Sequence, residues 1–340
     1  MTKYFDWKER IIEEELWFCA DIIKNGGTVI FPTETVYGIG ANALSSKAVQ
    51  KIYKVKERAK DNPLIVHVSS KSVITDLAED ISGIEQKLID TFMPGPFTLI
   101  LKKKDIIPKE VSAGLDTVGI RMPINKIANR LLSKTKLPIA APSANISGKP
   151  SGTRIEDIRE ELDNKVDAVI DGGFCDVGLE STVVKVINGI PTILRPGKVT
   201  LEEIRNKIGV GQISENVFRK VEAEEKVESP GMKYRHYAPN TRCMLIYEED
   251  EEDQIKKINE AIKGHNACVL GFEEHKDKIM SSQFICLGSK DNLEEISKNI
   301  FTLLRKADKY QAEFIVIEGV KKENLGLAIM NRLERACEMI

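Results

Sequence analysis

The sequence holds little that would suit a metal centre. Its six cysteines, at 19, 175, 243, 268, 286 and 337, form no Cys-x-x-Cys pair, and its four histidines add no ligand spacing. A structural zinc site is thereby excluded, and isolated, reduced core thiols are expected. An excess of one charge is missing too. Fifty Lys and Arg against 52 Asp and Glu leave a net charge of −2, so no global field favours nucleic acid. Aromatic residues are 6% of the chain, and no extended aromatic–basic interleaving of the kind single-strand binding surfaces use runs along it. No Gly-x-Gly-x-x-Gly run and no internal repeat occur, so the dinucleotide fingerprint is absent. No apolar run approaches the ~20 residues that span a bilayer. No secretory leader is evident at the N-terminus. A soluble, cytoplasmic protein with no membrane contact is expected.

What is present is core-forming material: 42% hydrophobic residues in a chain of 340, enough for two domains. Residues 1–27 read as an amphipathic helix closed by Gly26-Gly27. A buried strand follows over 28–31, then a glycine-containing loop over 33–41 and a helix from Ser46. Further strands are expected at 64–68, 97–101, 118–122 and 168–170, and helices at 84–92 and 124–132. Asn188-Gly189 marks a hairpin between 182–186 and 192–195. Apolar content thins over 199–228. Strands at 244–247, 267–270, 284–287 and 314–317 then alternate with helices at 253–263, 292–308 and 325–337, which favours a doubly wound second domain. The acidic run 248–253 reads as a solvated helix start. The expected partition is a first domain over 1–212, a linker over 213–241 and a second domain over 242–340.

Two short patterns suggest chemistry. Lys56-Glu57-Arg58 and Ser143-Ala144-Asn145 each space two polar side chains by one residue. In extended backbone such residues point the same way. The first pair then offers two cations to one side, suited to phosphates, and the second two neutral groups, suited to a sugar or an α-phosphate. Lys54 and Lys60 add to the basic run.

Around these pairs lie GGTVIFPTETVYGIGANA (26–43), DNPLI (61–65), MPGPFTLIL (93–101), VGIRMP (118–123), APSANISG (141–148), GLESTVV (178–184), ILRPG (193–197) and SPGMKYRHYAP (229–239). In this order the motifs resemble the YrdC-like threonylcarbamoyl-AMP synthases, in the longer form with an extra C-terminal domain. The resemblance implies an α/β fold: a YrdC-like twisted open sheet with helices around a basic cavity, followed by a small Rossmann-like domain. It implies synthesis of threonylcarbamoyl-AMP from ATP, L-threonine and bicarbonate, with release of pyrophosphate and Mg2+ accompanying ATP. The product would pass to a tRNA threonylcarbamoyl transferase complex, with tRNA itself not tightly held.

By the same resemblance, Lys56 and Arg58 are catalytic. Lys56, Arg58, Asn62, Thr117, Ser143, Asn145, Ser151, Arg195, Ser229 and Tyr234 would bind ATP. Thr35, His67, Arg121, Ala141 and Ser181 would bind threonine, Arg121 by bidentate pairing with its carboxylate. No protein metal ligand is implied. Glu57 and Ala59 stand where the family commonly has a small residue and proline. Segment 229–239 would close over the catalytic mouth. Two other readings belong to related domains: a module binding double-stranded RNA or tRNA, and a carbamoyltransferase of hydrogenase maturation, whose zinc-finger cysteines this chain lacks.

Overall fold

The structure, a computed structural model, describes residues 1–219, 225, 227–233 and 236–340. Two sheets organise it. The first has eleven strands in the spatial order Lys3–Asp6, Ala168–Asp171, Val29–Phe31, Gly38–Asn42, Ile139–Ala140, Ile65–His67, Thr117–Arg121, Phe97–Lys102, Thr182–Ile187, Ile190–Arg195 and Gln212–Ile213. It mixes parallel and antiparallel pairs. The second has five strands, Gln283–Cys286, Ala267–Gly271, Phe314–Glu318, Cys243–Ile246 and Glu338–Met339. All its pairs are parallel, as alternating strands and helices require.

Strand alternation divides the apolar residues of the first sheet between two faces. Val29, Phe31, Ala168 and Ile170 pack with Leu16, Ile23, Leu131 and Leu132, from helices Glu13–Lys24 and Lys126–Thr135. Ile30, Val66, Val169 and Ala140 face the larger core on the other side. In the second domain, Leu245, Leu270, Ile315 and Ile317 meet helices Leu293–Ala307 and Leu325–Ala336. That same cluster takes in Val36 and Leu179 from the first domain. The two domains therefore share apolar core.

Several local expectations are corrected. Residues 1–27 are not helical throughout: Lys3–Asp6 is an edge strand parallel to Ala168–Asp171. Much of the expected loop 33–41 belongs to a strand, Gly38–Asn42, antiparallel to Val29–Phe31. Gly40 is needed there because a Cβ would come 2.6 Å from the Phe31 ring. Helices Lys71–Leu77, Ile155–Leu162 and Leu201–Ile208 are too short to print a long periodicity. Cys243 and Cys337 are joined by a disulfide, not isolated thiols, and Cys286 is exposed. Their separation of 94 residues hides a contact made where the last helix returns to its sheet. Among the described residues no helix is long and apolar enough to cross a membrane.

Candidate functional site

A cavity opens where strands Ile65–His67 and Thr117–Arg121 end, in parallel register with His67 opposite Arg121. Ligands in open α/β sheets commonly sit at such strand ends. Of the residues singled out in the sequence, Lys56, Arg58, Ser143, Asn145, Arg195, Thr35, His67, Arg121, Ala141 and Ser181 line it together. Asn62, Thr117, Ser151 and Ser229 are not in its lining. Tyr234 lies outside the described residues.

The first polar pair meets the cavity by a route other than extended backbone. Lys56 is the last residue of helix Ser46–Lys56, and Glu57 caps it in the left-handed region at φ 52°. That one turn brings Lys56 and Arg58 to the same wall, while Glu57 is exposed. Lys56 is not bathed in solvent, as two cations in an open cleft would be. It is 1% exposed. Its ammonium donates to the Ser143 carbonyl and, at 2.7 Å, to the Asn145 carbonyl. Burial, then the charge of Arg58, holds its pKa well below the ordinary lysine value.

Arg58 donates to the Asn62 side-chain oxygen at 2.6 Å and to the Pro63 carbonyl at 2.9 Å. Asn62 therefore orients the guanidinium from behind. Ser143 donates to the Asn145 side-chain oxygen at 2.6 Å, which joins the second polar pair to Lys56.

Arg121 is buried against Glu34 at 2.6 Å and Thr35 at 2.8 Å, and its Nε has no partner. His67 also has a buried ring nitrogen, Nδ1, without a partner. Burial and the neighbouring Arg121 lower its pKa to about 3, so the ring is neutral near pH 7. An orphaned donor in a cavity wall is costly unless a ligand or water meets it. Arg195 donates to the Ser181 carbonyl at 3.0 Å and to the Pro230 carbonyl at 3.0 Å. Burial lowers its pKa to about 10. Ser181 shares a hydrogen bond with Thr98 at 2.8 Å.

Thr117 donates to Glu228 at 2.9 Å, and Ser229 lines a separate small pocket with Glu228 and Met232. Segment 229–239 nevertheless reaches the cavity through Pro230, Gly231, His236 and Tyr237. It is pinned by Lys233 to Asp61 at 2.7 Å and by the Ala238 amide to the Gly148 carbonyl at 2.8 Å. Tyr237 stacks on Phe301 of the second domain at 5.2 Å. Gly231, at φ 83°, has no room for a side chain: a Cβ would sit 2.7 Å from the Tyr237 hydroxyl.

Sequence reasoning missed two buried carboxylates, Glu180 in the cavity lining and Glu34 behind Arg121, and the cation that meets Glu180. Both acids sit inside quoted motifs, PTET and GLEST, beside residues that bury. Arg332 of helix Leu325–Ala336 is 1% exposed and pairs with Glu180 at 2.9 Å. Its signal was positional: it falls on the stripe of Leu325, Ala328, Ile329 and Ala336, where an apolar residue belongs. Among the described residues no group of three metal-ligating side chains occurs. Glu34 and Glu180 are both committed to arginines.

Comparison with known proteins covers the chain as a whole. Residues 21–197 match the family described as "Telomere recombination", and residues 199–337 match "Threonylcarbamoyl-AMP synthase, C-terminal domain". A threonylcarbamoyl-AMP synthase of Pyrococcus abyssi is 42% identical over 342 residues, spanning 99% of this chain and 98% of that one. One from Bacillus subtilis is 41% identical over 319 residues, 93% and 91% of the two chains. The crystal structure of P. abyssi Sua5 complexed with L-threonine matches with a TM-score of 0.92 at 40% identity, over 100% of both chains. With both domains, their order and their full length accounted for, this chain belongs to the two-domain threonylcarbamoyl-AMP synthases.

Proposed function

We propose that the chain condenses L-threonine, bicarbonate and ATP into threonylcarbamoyl-AMP. Threonine's amine and bicarbonate give a carbamate with loss of water. A carbamate oxygen attacks the α-phosphorus, the bond to the β-phosphate oxygen breaks, and pyrophosphate leaves. Nucleophile and electrophile are both anionic, so the site must supply positive charge and alignment. The observation that carries this reading is the cavity itself, which gathers Lys56, Arg58 and Arg195 beside the Arg121 and Thr35 pair. The first group, with Ser143 and Asn145, faces the phosphates. Arg121, Thr35, His67, Ala141 and Ser181 hold threonine. Neutral His67 orients it and takes no proton, because the carbamate oxygen already carries the charge.

Asn62 and Ser151 act through Arg58 and Glu180, to which they are hydrogen-bonded. Magnesium enters as Mg–ATP, held by phosphate oxygens and water. The product serves threonylcarbamoylation of adenine 37 in ANN-decoding tRNAs through a separate transferase complex.

The linker over 213–241 separates catalytic and accessory domains, a division supported by the last strand of one sheet at Ile213 and the first of the other at Cys243. Its 229–239 segment is a lid that keeps water from the mixed anhydride. Tyr237→Ala should hasten product hydrolysis, and an unchanged rate would remove the lid. The decisive assay is pyrophosphate release with ATP, threonine, bicarbonate or magnesium omitted in turn. Release should need all four. Release that ignores threonine would sink the reading.

A further inference from the structure

Glu180 poses an electrostatic problem. It lines the cavity that also holds Lys56, Arg58 and Arg195, yet a bare carboxylate there would repel any phosphate those cations attract. The first domain does not pair it. Among the described residues, the one cation within ion-pairing distance is Arg332, 152 residues away on the second domain. The geometry is divided: one Glu180 oxygen accepts from Ser151 at 2.5 Å, the other from Arg332 Nε at 2.9 Å. Burial alone would raise the carboxyl pKa, but Arg332, then Arg195, hold it below the usual carboxylate value. Arg332 is itself locked, by Asn331 at 3.0 Å and by the Tyr237 ring 5.6 Å away.

We propose that Arg332 of the second domain is a positioning residue of the cavity: it neutralises Glu180 and fixes Ser151, leaving the wall receptive to a polyanion. The inference rests on the assignment of the triphosphate to this cavity. It gives the second domain a duty in substrate binding, carried by one guanidinium that need not touch substrate. Arg332 and Glu180 count as a unit. Removing the cation alone strands a buried negative charge, whereas removing both charges leaves a neutral pair of similar volume.

The test titrates Mg–ATP calorimetrically into the full-length wild type, Arg332→Met and the Glu180→Gln/Arg332→Met double variant, alongside pyrophosphate kinetics. Arg332→Met should weaken ATP binding roughly tenfold or more, through KM for ATP rather than kcat at saturation. The double variant should recover to within roughly threefold of wild type, because the repulsive charge is gone. A merely structural role predicts the opposite order, since the double variant loses the same packing and one more hydrogen bond. If Arg332→Met binds ATP like wild type, or the double variant binds no better than the single one, the inference is overturned. Should Arg332→Met fail to fold, the double variant decides: near-normal affinity supports the inference, and loss of folding or binding refutes it. A wild type that binds no ATP would fell the triphosphate assignment first, and this inference with it.

Discussion

At the scale of single residues the site is built from charges held by carbonyls. Lys56 is satisfied by the Ser143 and Asn145 backbone, so Lys56→Ala removes a structural tie as well as a charge. We expect it to abolish pyrophosphate release and also to cost about 1–3 kcal/mol of unfolding free energy in urea, because buried carbonyls lose their donor. Unchanged stability would mean the lysine is not tied down in solution. Arg121→Lys keeps the charge but loses the planar fork. It should weaken threonine binding more than ATP binding, and equal threonine affinity by calorimetry would remove Arg121 from that role.

The two cavity histidines predict a pH response. Burial, with Arg121 near one and Arg58 near the other, lowers His67 and His236 to about 3. Both stay neutral in the folded protein while the unfolded chain takes up protons below about pH 6.5. Their stabilising contribution is complete above that value and lost as pH falls towards about 3. His67→Gln should flatten the loss of stability between about pH 6.5 and 4, measured by urea midpoints. An unaltered slope would refute the assignment.

At the scale of elements, contact between domains is close enough to test with one atom. Gly178, at φ 78°, lies under helix Leu293–Ala307, and a Cβ there would fall 2.4 Å from the Lys298 Cα. Backbone cannot yield as a side chain tip can, so Gly178→Ala should destabilise the chain by about 2 kcal/mol or more, read as a lowered melting temperature. This scale also decides what the sequence could say. Helix Gly83–Phe92 and the Asn188-Gly189 hairpin were legible because a periodic face or a turn dipeptide marks each. Helix Leu201–Ile208 carries a Thr200–Glu203 capping box, a readable signal overlooked among charged neighbours. Strand Gly38–Asn42 was obscured by glycines that read as loop but serve close packing. The cavity was legible where motifs carry it. The left-handed turn at Glu57 and the Glu180–Arg332 pair depend on tertiary placement, which no local spacing encodes.

At the scale of the whole molecule, the shared core of Val36 and Leu179 with Ile329 and Phe301 argues against independently melting halves. Buried pairs Arg332–Glu180 and Arg305–Glu161, at 2.9 Å and 2.6 Å, cross the same junction. Calorimetry of the full chain should give one transition whose van't Hoff and calorimetric enthalpies agree; two resolved peaks would show the junction to be weak. The Glu180–Arg332 bridge carries a further consequence, for descent rather than for physics alone. An acid and a base on separate domains can only be inherited as a couple. A protein of this lineage that consists of the first domain alone has no arginine to offer from outside. It should therefore carry a neutral residue where this chain has Glu180, or supply a cation of its own beside it. Reading that single aligned position across one-domain and two-domain chains would show whether the couple has travelled together, and an unaccompanied acid in the short chains would break the link.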